Sequence, residues 1–524
     1  MRLLTSLVAL MSLVNVDAQA SAELPRLVVN ILIDQLRTDY LETFAPLYGD
    51  EGFKLLMSEG RFYSDVQQPF TPVDRASATA TLMTGATPNV HGVPGLTWLS
   101  RKTLQPVYCV DDSRYAGLET VEKSSPGYLL TSTLADELKH ATARKALVYS
   151  IAPERDMAVL LAGHAADGAF WLSDDRGLWA GTSFYGKMPD WVARYNATEM
   201  PAQTISRSKW EPTYDNAYPS FVYYHALADE KAKQFKHTFT GSNRYRHFKT
   251  SALVNEEVMR LATHCAEATK LGTDATPDIL SIGLYAGTFG GQELSASPSE
   301  LQDTYVRLDQ VLASLIQTFR QRYGKDKVLF VVASTGYDAS AYTPTIEAGT
   351  FNLSRAAMLL NMFLSAKFGQ AQYVEASYGH QIYIDHKVVE QQQLQLTDVL
   401  SESEAFLAQM EGVSDVYSAR SLAVAARTPE LSLVRGGWSP ARSGDIVLEI
   451  LPGWKIISEN NSETTNKGQP YTPYPLFLLG PEVEPAHLAV TQTATAIAPT
   501  LASSLRIRAP NASREPPLAL CNGE

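Results

Sequence analysis

Short apolar runs alternate with helical patterns along most of this chain, and that alternation restricts its fold more than any other feature. Leu27–Ile33, Lys145–Ile151, Ile279–Tyr285 and Val328–Ala333 are each short, apolar and rich in β-branched residues. They lack the polar alternation of a strand with one wet face, so both faces must be covered. Helical patterns lie between them, which predicts a mostly parallel sheet with helices on either side, an α/β three-layer sandwich. The clearest helix is Ser299–Tyr323, where Leu301, Tyr305, Leu308, Val311, Leu312 and Leu315 keep helical spacing. Ser297-Pro298 introduces it and Gly324 stops it. Gly52–Glu59 and Asp74–Met83 also read as helices, the second with Asp74 as N-cap.

Two stretches break the alternation. Residues 165–250 are rich in Trp, Tyr, Gly, Pro and Asn and read as a cap-like insertion over the carboxyl edge of the sheet, where such folds bind ligands. Within 371–422, a strand at Gln381–Ile384, a helix at Asp398–Glu411 and a strand at Val413–Val416 suggest a small α+β insert. Thr495–Leu505 reads as a helix with Pro499 in its first turn. The formal charge of −12 excludes a nucleic-acid partner, which needs a basic face.

Arg2, the apolar run Leu3–Val16 and the small-residue site Ala18-Gln19-Ala20 read as a secretory signal peptide over residues 1–20. The mature chain then runs over 21–524 as a single domain and is exported to a periplasm or secreted. No other stretch is apolar enough to span a membrane.

Several motifs share an order and spacing with a known family. They are Leu27–Asp34, Met83-Thr-Gly-Ala-Thr-Pro-Asn-Val-His-Gly-Val93, Val107-Tyr-Cys-Val110, Ala162-Gly-His164, Glu300-Leu-Gln-Asp-Thr-Tyr305 and Ala498-Pro-Thr-Leu501. Together they resemble the alkaline phosphatase superfamily, in its type I phosphodiesterase / nucleotide pyrophosphatase branch, and the periplasmic phosphatases of Bacteroidetes. The resemblance implies phosphoryl transfer between two zinc ions, in which a Thr or Ser alkoxide attacks phosphorus.

Carried onto this chain residue by residue, the resemblance leaves Asp34 as a zinc-ligand position. The nucleophile's position, counted back from Thr84-Gly85, is Arg75, which has no oxygen to attack phosphorus. A gap would bring Thr71, Ser77 or Thr79 there instead. The strand-end Asp and following His become Thr288 and Gln292, and the Asp-His pair after Val328–Ala333 becomes Ser334-Thr335. The last His falls in Lys467-Gly-Gln-Pro-Tyr471. The phosphate-contacting Asn aligns with Leu96, and a Lys-x-Arg pair with Glu154 and Asp156, so anions stand where cations are expected. A one-residue slip would bring Arg155 close.

Asp34, Ser334 and Thr288 are expected together at neighbouring strand ends. Arg75 is expected either to pair with Asp34, Asp156 or both, or to point into solvent. Elsewhere, Asp385-His386, His264-Cys265, His91, His164 and Asp111-Asp112 read as structural or solvated groups, and none builds a second metal centre. Cys109 and Cys521, both in motif-like segments, are expected to form a disulfide, with Cys265 a buried thiol.

These substitutions point to an exported pseudo-phosphatase without zinc, binding an unknown envelope protein or small ligand. The alternative is an active phosphatase or phosphodiesterase with a rearranged or single-metal site.

Overall fold

The computed structural model describes residues 24–214, 235–292, 297–338, 349–424, 428–457, 463–465 and 472–521. Its centre is a 10-stranded sheet. In chain order the strands are β1 (Leu27–Asp34), β2 (Arg61–Tyr63), β3 (Gly117–Leu118), β4 (Val148–Ala152), β5 (Gly168–Leu172), β6 (Trp179–Thr182), β7 (Asp278–Tyr285), β8 (Val328–Ser334), β9 (Leu476–Leu479) and β10 (Ala486–Leu488). Across the sheet they run β10-β2-β9-β8-β1-β7-β4-β5-β6-β3. The middle, from β8 through β1, β7 and β4 to β5, is parallel, and antiparallel pairs flank it at β8/β9 and β5/β6.

Every residue of β1 and β7 is buried, as a sheet covered on both faces requires. The helices used below are α1 (Arg75–Thr84), α2 (Arg155–Ala162), α3 (Leu253–Ala268) and α4 (Pro298–Tyr323). The two-residue period of β1 divides its side chains between two cores. Leu27, Val29, Ile31 and Ile33 pack with the apolar faces of α3 and α4. Val28 and Leu32 pack with Ala76, Ala80, Met157 and Leu160 of α1 and α2. The architecture is thus the α/β sandwich expected from the sequence.

The breaks in the pattern resolve differently. The start of the expected cap is not cap at all, because Gly168–Leu172 and Trp179–Thr182 are strands of the main sheet. Their residues are buried throughout, and the Trp content that suggested an insertion supplies core side chains, Trp171 and Trp179. Later residues do cover the carboxyl edge: Ile205, Trp210, Phe239, Tyr245 and Phe248 pack on Tyr285 at the end of β7. The second unit is wider than 371–422. A helix over Leu353–Phe368 and a four-stranded sheet ordered Val374–Tyr378, Gln381–Ile384, Ile446–Ile450, Val413–Ser418 share one core that reaches from Phe351 to Ile456.

The expected disulfide is absent. Cys109 is a buried thiol packed with Trp98 and Val110, and Cys265 is a buried thiol on α3. Cys521 is a thiol whose Sγ lies 3.5 Å from the Glu482 carbonyl oxygen, and its own carbonyl lies near the Arg61 guanidinium of β2. The proposed signal peptide and Lys467–Tyr471 lie outside the described residues. Among the described residues no helix is long and apolar enough to cross a membrane.

Candidate functional site

The site lies at the carboxyl ends of the parallel strands. Register places Asp34 opposite Tyr285 and Ile33 opposite Ser334, so Asp34, Ser334 and the Thr288 loop come together at adjacent strand ends. Helix α1 starts above them. Asp74 caps it, accepting from Ser77 N–H at 2.9 Å, while the Ser77 side chain returns to the Asp74 backbone. Asp74 also accepts from Leu96 N–H at 2.6 Å, so the Leu96 position serves the cap through its backbone. Gly85, in the left-handed conformation at φ 63°, ends the helix.

Arg75, the first residue of α1, points into the site. Its Nε donates to Asp156 Oδ2 at 2.8 Å and its Nη2 to Asp156 Oδ1 at 2.9 Å, a bidentate fork. Its Nη1 lies 3.6 Å from Asp34 Oδ2. The side chains of Arg75, Asp34 and Asp156 are 16%, 3% and 0% exposed. Asp156 comes from the first turn of α2, where a carboxylate also suits the helix dipole. The Tyr108 hydroxyl adds a third bond to Asp156 at 2.8 Å. On the other side the Thr335 hydroxyl donates to Asp34 Oδ1 at 3.1 Å and accepts from Gln35 N–H at 3.0 Å.

The two carboxyls therefore differ. Burial pushes the Asp34 carboxyl up to about 6, and the Arg75 charge and the Thr335 hydroxyl only partly oppose it. Burial also acts on Asp156, but the Arg75 charge, its paired hydrogen bonds and Tyr108 outweigh it and hold that carboxyl below its usual value. Arg75 is held well above its usual value: desolvation opposes the charge, and Asp156, Glu154 and Asp34 more than offset it.

A second charged cluster adjoins the first. Lys249 Nζ lies 3.3 Å from Glu154 and 2.6 Å from Asp174, with the Lys249 side chain 4% exposed. Glu154 and Asp156 thus each have a cation, from Lys249 and Arg75 respectively. Nothing local in the sequence marks Lys249, which stands 95 residues from Glu154 in a run containing Arg244, Arg246 and His247. Tyr108 was visible only as part of a motif, without a role. Arg155 turns away from the site: it pairs with Asp111 at 2.8 Å and lies 4.4 Å over the Tyr108 ring.

The remaining positions carry hydroxyls with local tasks. Thr288 donates to the Gln292 carbonyl at 2.6 Å, and Ser334 to the Leu36 carbonyl at 2.6 Å. Ser77 belongs to the cap, and Thr79 donates to the Arg75 carbonyl at 2.6 Å. Thr71 is held by its backbone against Leu433. The described residues of this site do not fit a zinc pair. Zinc needs several His, Asp or Cys donors per ion, whereas Asp34 and Asp156 both face a guanidinium. Among the described residues no group of three or more His, Cys, Asp or Glu side chains could hold a metal ion.

Three of the described histidines make local hydrogen bonds away from the site. His91 bonds Thr81 at 3.0 Å, His164 bonds Asp136 at 3.0 Å and His386 bonds Asp445 at 2.8 Å. Asp385 caps a short helix through Lys387 N–H. Asp112 pairs with Arg114 at 2.7 Å.

The family model for type I phosphodiesterase / nucleotide pyrophosphatase matches residues 28–472. A protein of Myroides odoratus named as a calcium-transporting ATPase is 29% identical, over 96% of this chain and 95% of its own. The alkaline phosphatase PafA of Elizabethkingia meningoseptica is 26% identical, over 94% of each chain. A crystal structure of wild-type alkaline phosphatase PafA superposes with a TM-score of 0.80 at 25% identity, covering 95% of this chain and 99% of that one.

Proposed function

Because the chain belongs to the type I phosphodiesterase / nucleotide pyrophosphatase family of the alkaline phosphatase superfamily, we propose that it is a member in which a buried ion-pair network has replaced the metal-dependent hydrolytic site. In this reading it binds a partner protein or a small ligand and does not hydrolyse phosphate esters. The observation that carries it is the placement of Arg75. Its guanidinium lies between Asp34 and Asp156, within bonding or ion-pair distance of both. An arginine supplies neither a nucleophilic oxygen nor a lone pair for a metal. It supplies the positive charge that keeps two buried carboxylates in place. Glu154 and Asp156 engage Lys249 and Arg75, so these two cations are already neutralised and do not draw in a phosphate dianion. Export to a periplasm or beyond, from the pattern of residues 1–20, is part of the same proposal.

A second reading has its own support. Relatives that span more than nine-tenths of this chain are named as alkaline phosphatases, which favours an active hydrolase with a rearranged or single-metal site. One experiment separates the two. Purified protein is analysed for bound metal, then assayed with an aryl phosphate and an aryl phosphodiester, with and without added zinc. No stoichiometric metal and no turnover above a heat-inactivated control is the expected result. Zinc bound in stoichiometric amount together with zinc-dependent turnover overturns the non-hydrolytic reading.

A further inference from the structure

A groove of about 630 Å³ separates the hairpin strands Thr97–Leu99 and Pro106–Tyr108 from the smaller unit. One wall is the strand Val374–Tyr378, whose residues all line it. This strand is an edge of the four-stranded sheet, with Gln381–Ile384 on its other side. Edge strands offer unpaired backbone groups. Here the register says which ones. In antiparallel pairs, hydrogen-bonded and non-bonded residue pairs alternate. The Ile382 carbonyl accepts from Asp445 N–H at 2.9 Å, so Ile382 turns its backbone toward the third strand. Ser377, opposite Ile382, therefore turns its own N–H and C=O outward into the groove.

The side chains give the groove its character. Met358 and Met362, one turn apart on the Leu353–Phe368 helix, are 58% and 61% exposed, and Leu104 of the hairpin turn is 38% exposed. Methionine surfaces adapt to varied apolar partners. Glu375 is the formally charged residue among those lining the groove. The strand register shifts between Val374 and Ala376, a bulge of the kind that re-aims the intervening side chain. Asp385 and Asp445 act on Glu375 from nearby, and so do Arg101 and His386. Arg101 reaches Glu375 only at 3.9 Å, because it pairs with Asp445 at 3.0 Å. The Glu375 side chain stays 22% exposed beside that cation.

We propose that this groove binds an extended peptide of a partner protein, which pairs with Val374–Tyr378 as an added strand. It presents a basic side chain to Glu375 and apolar side chains to Met358, Met362 and Leu104. This is strand addition: backbone bonds to an edge give affinity, and alternate side chains give specificity. It does not depend on whether the ion-pair site hydrolyses anything.

The probe is a labelled pool of short capped peptides with a central arginine and randomised flanks, set against the same pool with glutamate. Fluorescence anisotropy on the full-length protein is expected to show saturable binding of the arginine pool, at least about tenfold tighter than the glutamate pool. Glu375→Lys reverses that order. For a peptide selected from the pool, N-methylation of one alternate set of backbone nitrogens weakens binding by about tenfold or more, while methylation of the other set does not. This contrast leaves the protein unaltered, so it cannot arise from misfolding. Equal binding of the two pools, no saturation at about millimolar peptide, or indifference to both methylation sets overturns the proposal. A concentration-dependent dimer that Glu375→Lys abolishes also overturns it, by making a second copy of this chain the occupant.

Discussion

Replacing Arg75 with threonine restores the residue type of a family nucleophile, and its effect follows from the ion-pair geometry. The substitution removes the fork to Asp156 and the 3.6 Å contact to Asp34 at one stroke. Asp156 keeps only the Tyr108 hydroxyl among these side-chain partners, and Asp34 keeps Thr335. Breaking a buried pair by removing one partner costs about 3–5 kcal/mol, because a charge is left uncompensated. The chain has one escape, which is to protonate a carboxyl. Holding one neutral at pH 7, against an unfolded value near 4, costs about 4 kcal/mol, so this route caps the loss at a similar size. It also fixes the pH dependence. A carboxyl whose folded pKa is raised binds its proton more readily in the folded state, and its penalty fades as the pH falls towards the unfolded value. Asp156 stays ionised in the parent whereas Asp34 is already raised to about 6 there, so it is protonation of Asp156 that should shrink the deficit of Arg75→Thr, by about 1.4 kcal/mol for each pH unit from 7 down towards the unfolded value near 4. The assay is urea denaturation followed by tryptophan fluorescence at several pH values, alongside a phosphatase assay that should show no gain of turnover. A variant as stable as the parent at pH 7, or a deficit that does not change with pH, refutes the pairing argument.

Other perturbations test neighbouring parts. Tyr108→Phe removes one hydrogen bond to a charged, buried acceptor and should cost about 1.5–3 kcal/mol in the same denaturation assay. Lys249→Met should cost less than Arg75→Thr, about 1–3 kcal/mol, because Glu154 and Asp174 are 27% and 30% exposed and regain water. His91 gives a pH signature of opposite sign. Its Nδ1 accepts from Val93 N–H, and burial and Arg442 push its pKa down to about 3 from 6.5. The folded state keeps it neutral while the unfolded chain binds a proton near 6.5, so its contribution is complete above that value. It is lost as the pH falls towards 3, by about 1.4 kcal/mol per unit. His91→Gln should flatten that slope in melts between about pH 6 and pH 4; an unchanged slope would assign the acid sensitivity to other groups.

The sheet was legible because its strands are nearly uninterrupted apolar runs with both faces covered, and β1 even displays the carboxylate at its end. Helix α1 was legible from Asp74, whose cap is a local bond. Arg75 was expected either in the site or in solvent, and only the family resemblance, which puts it at the nucleophile's position, pointed it towards Asp34. Lys249 could not be found, since the fold brings it to Glu154 across a long separation and no local pattern distinguishes it from Arg244 or Arg246. Gly168–Leu172 and Trp179–Thr182 were misread for a related reason: tryptophan and glycine suggest an irregular surface until the helices that bury them are known. The Cys109–Cys521 bond failed because motif likeness says nothing about which thiols the fold places side by side.

The three-way contact of Arg75 with Asp34 and Asp156 has a consequence for the history of such a chain. Reversing Arg75 first strands two buried carboxylates, and reversing Asp156 first strands the guanidinium. Neither single step leaves the buried charges balanced. A lineage that carries this triad is held to it by its own folding stability, so its three members yield to concerted replacement and resist one-at-a-time substitution.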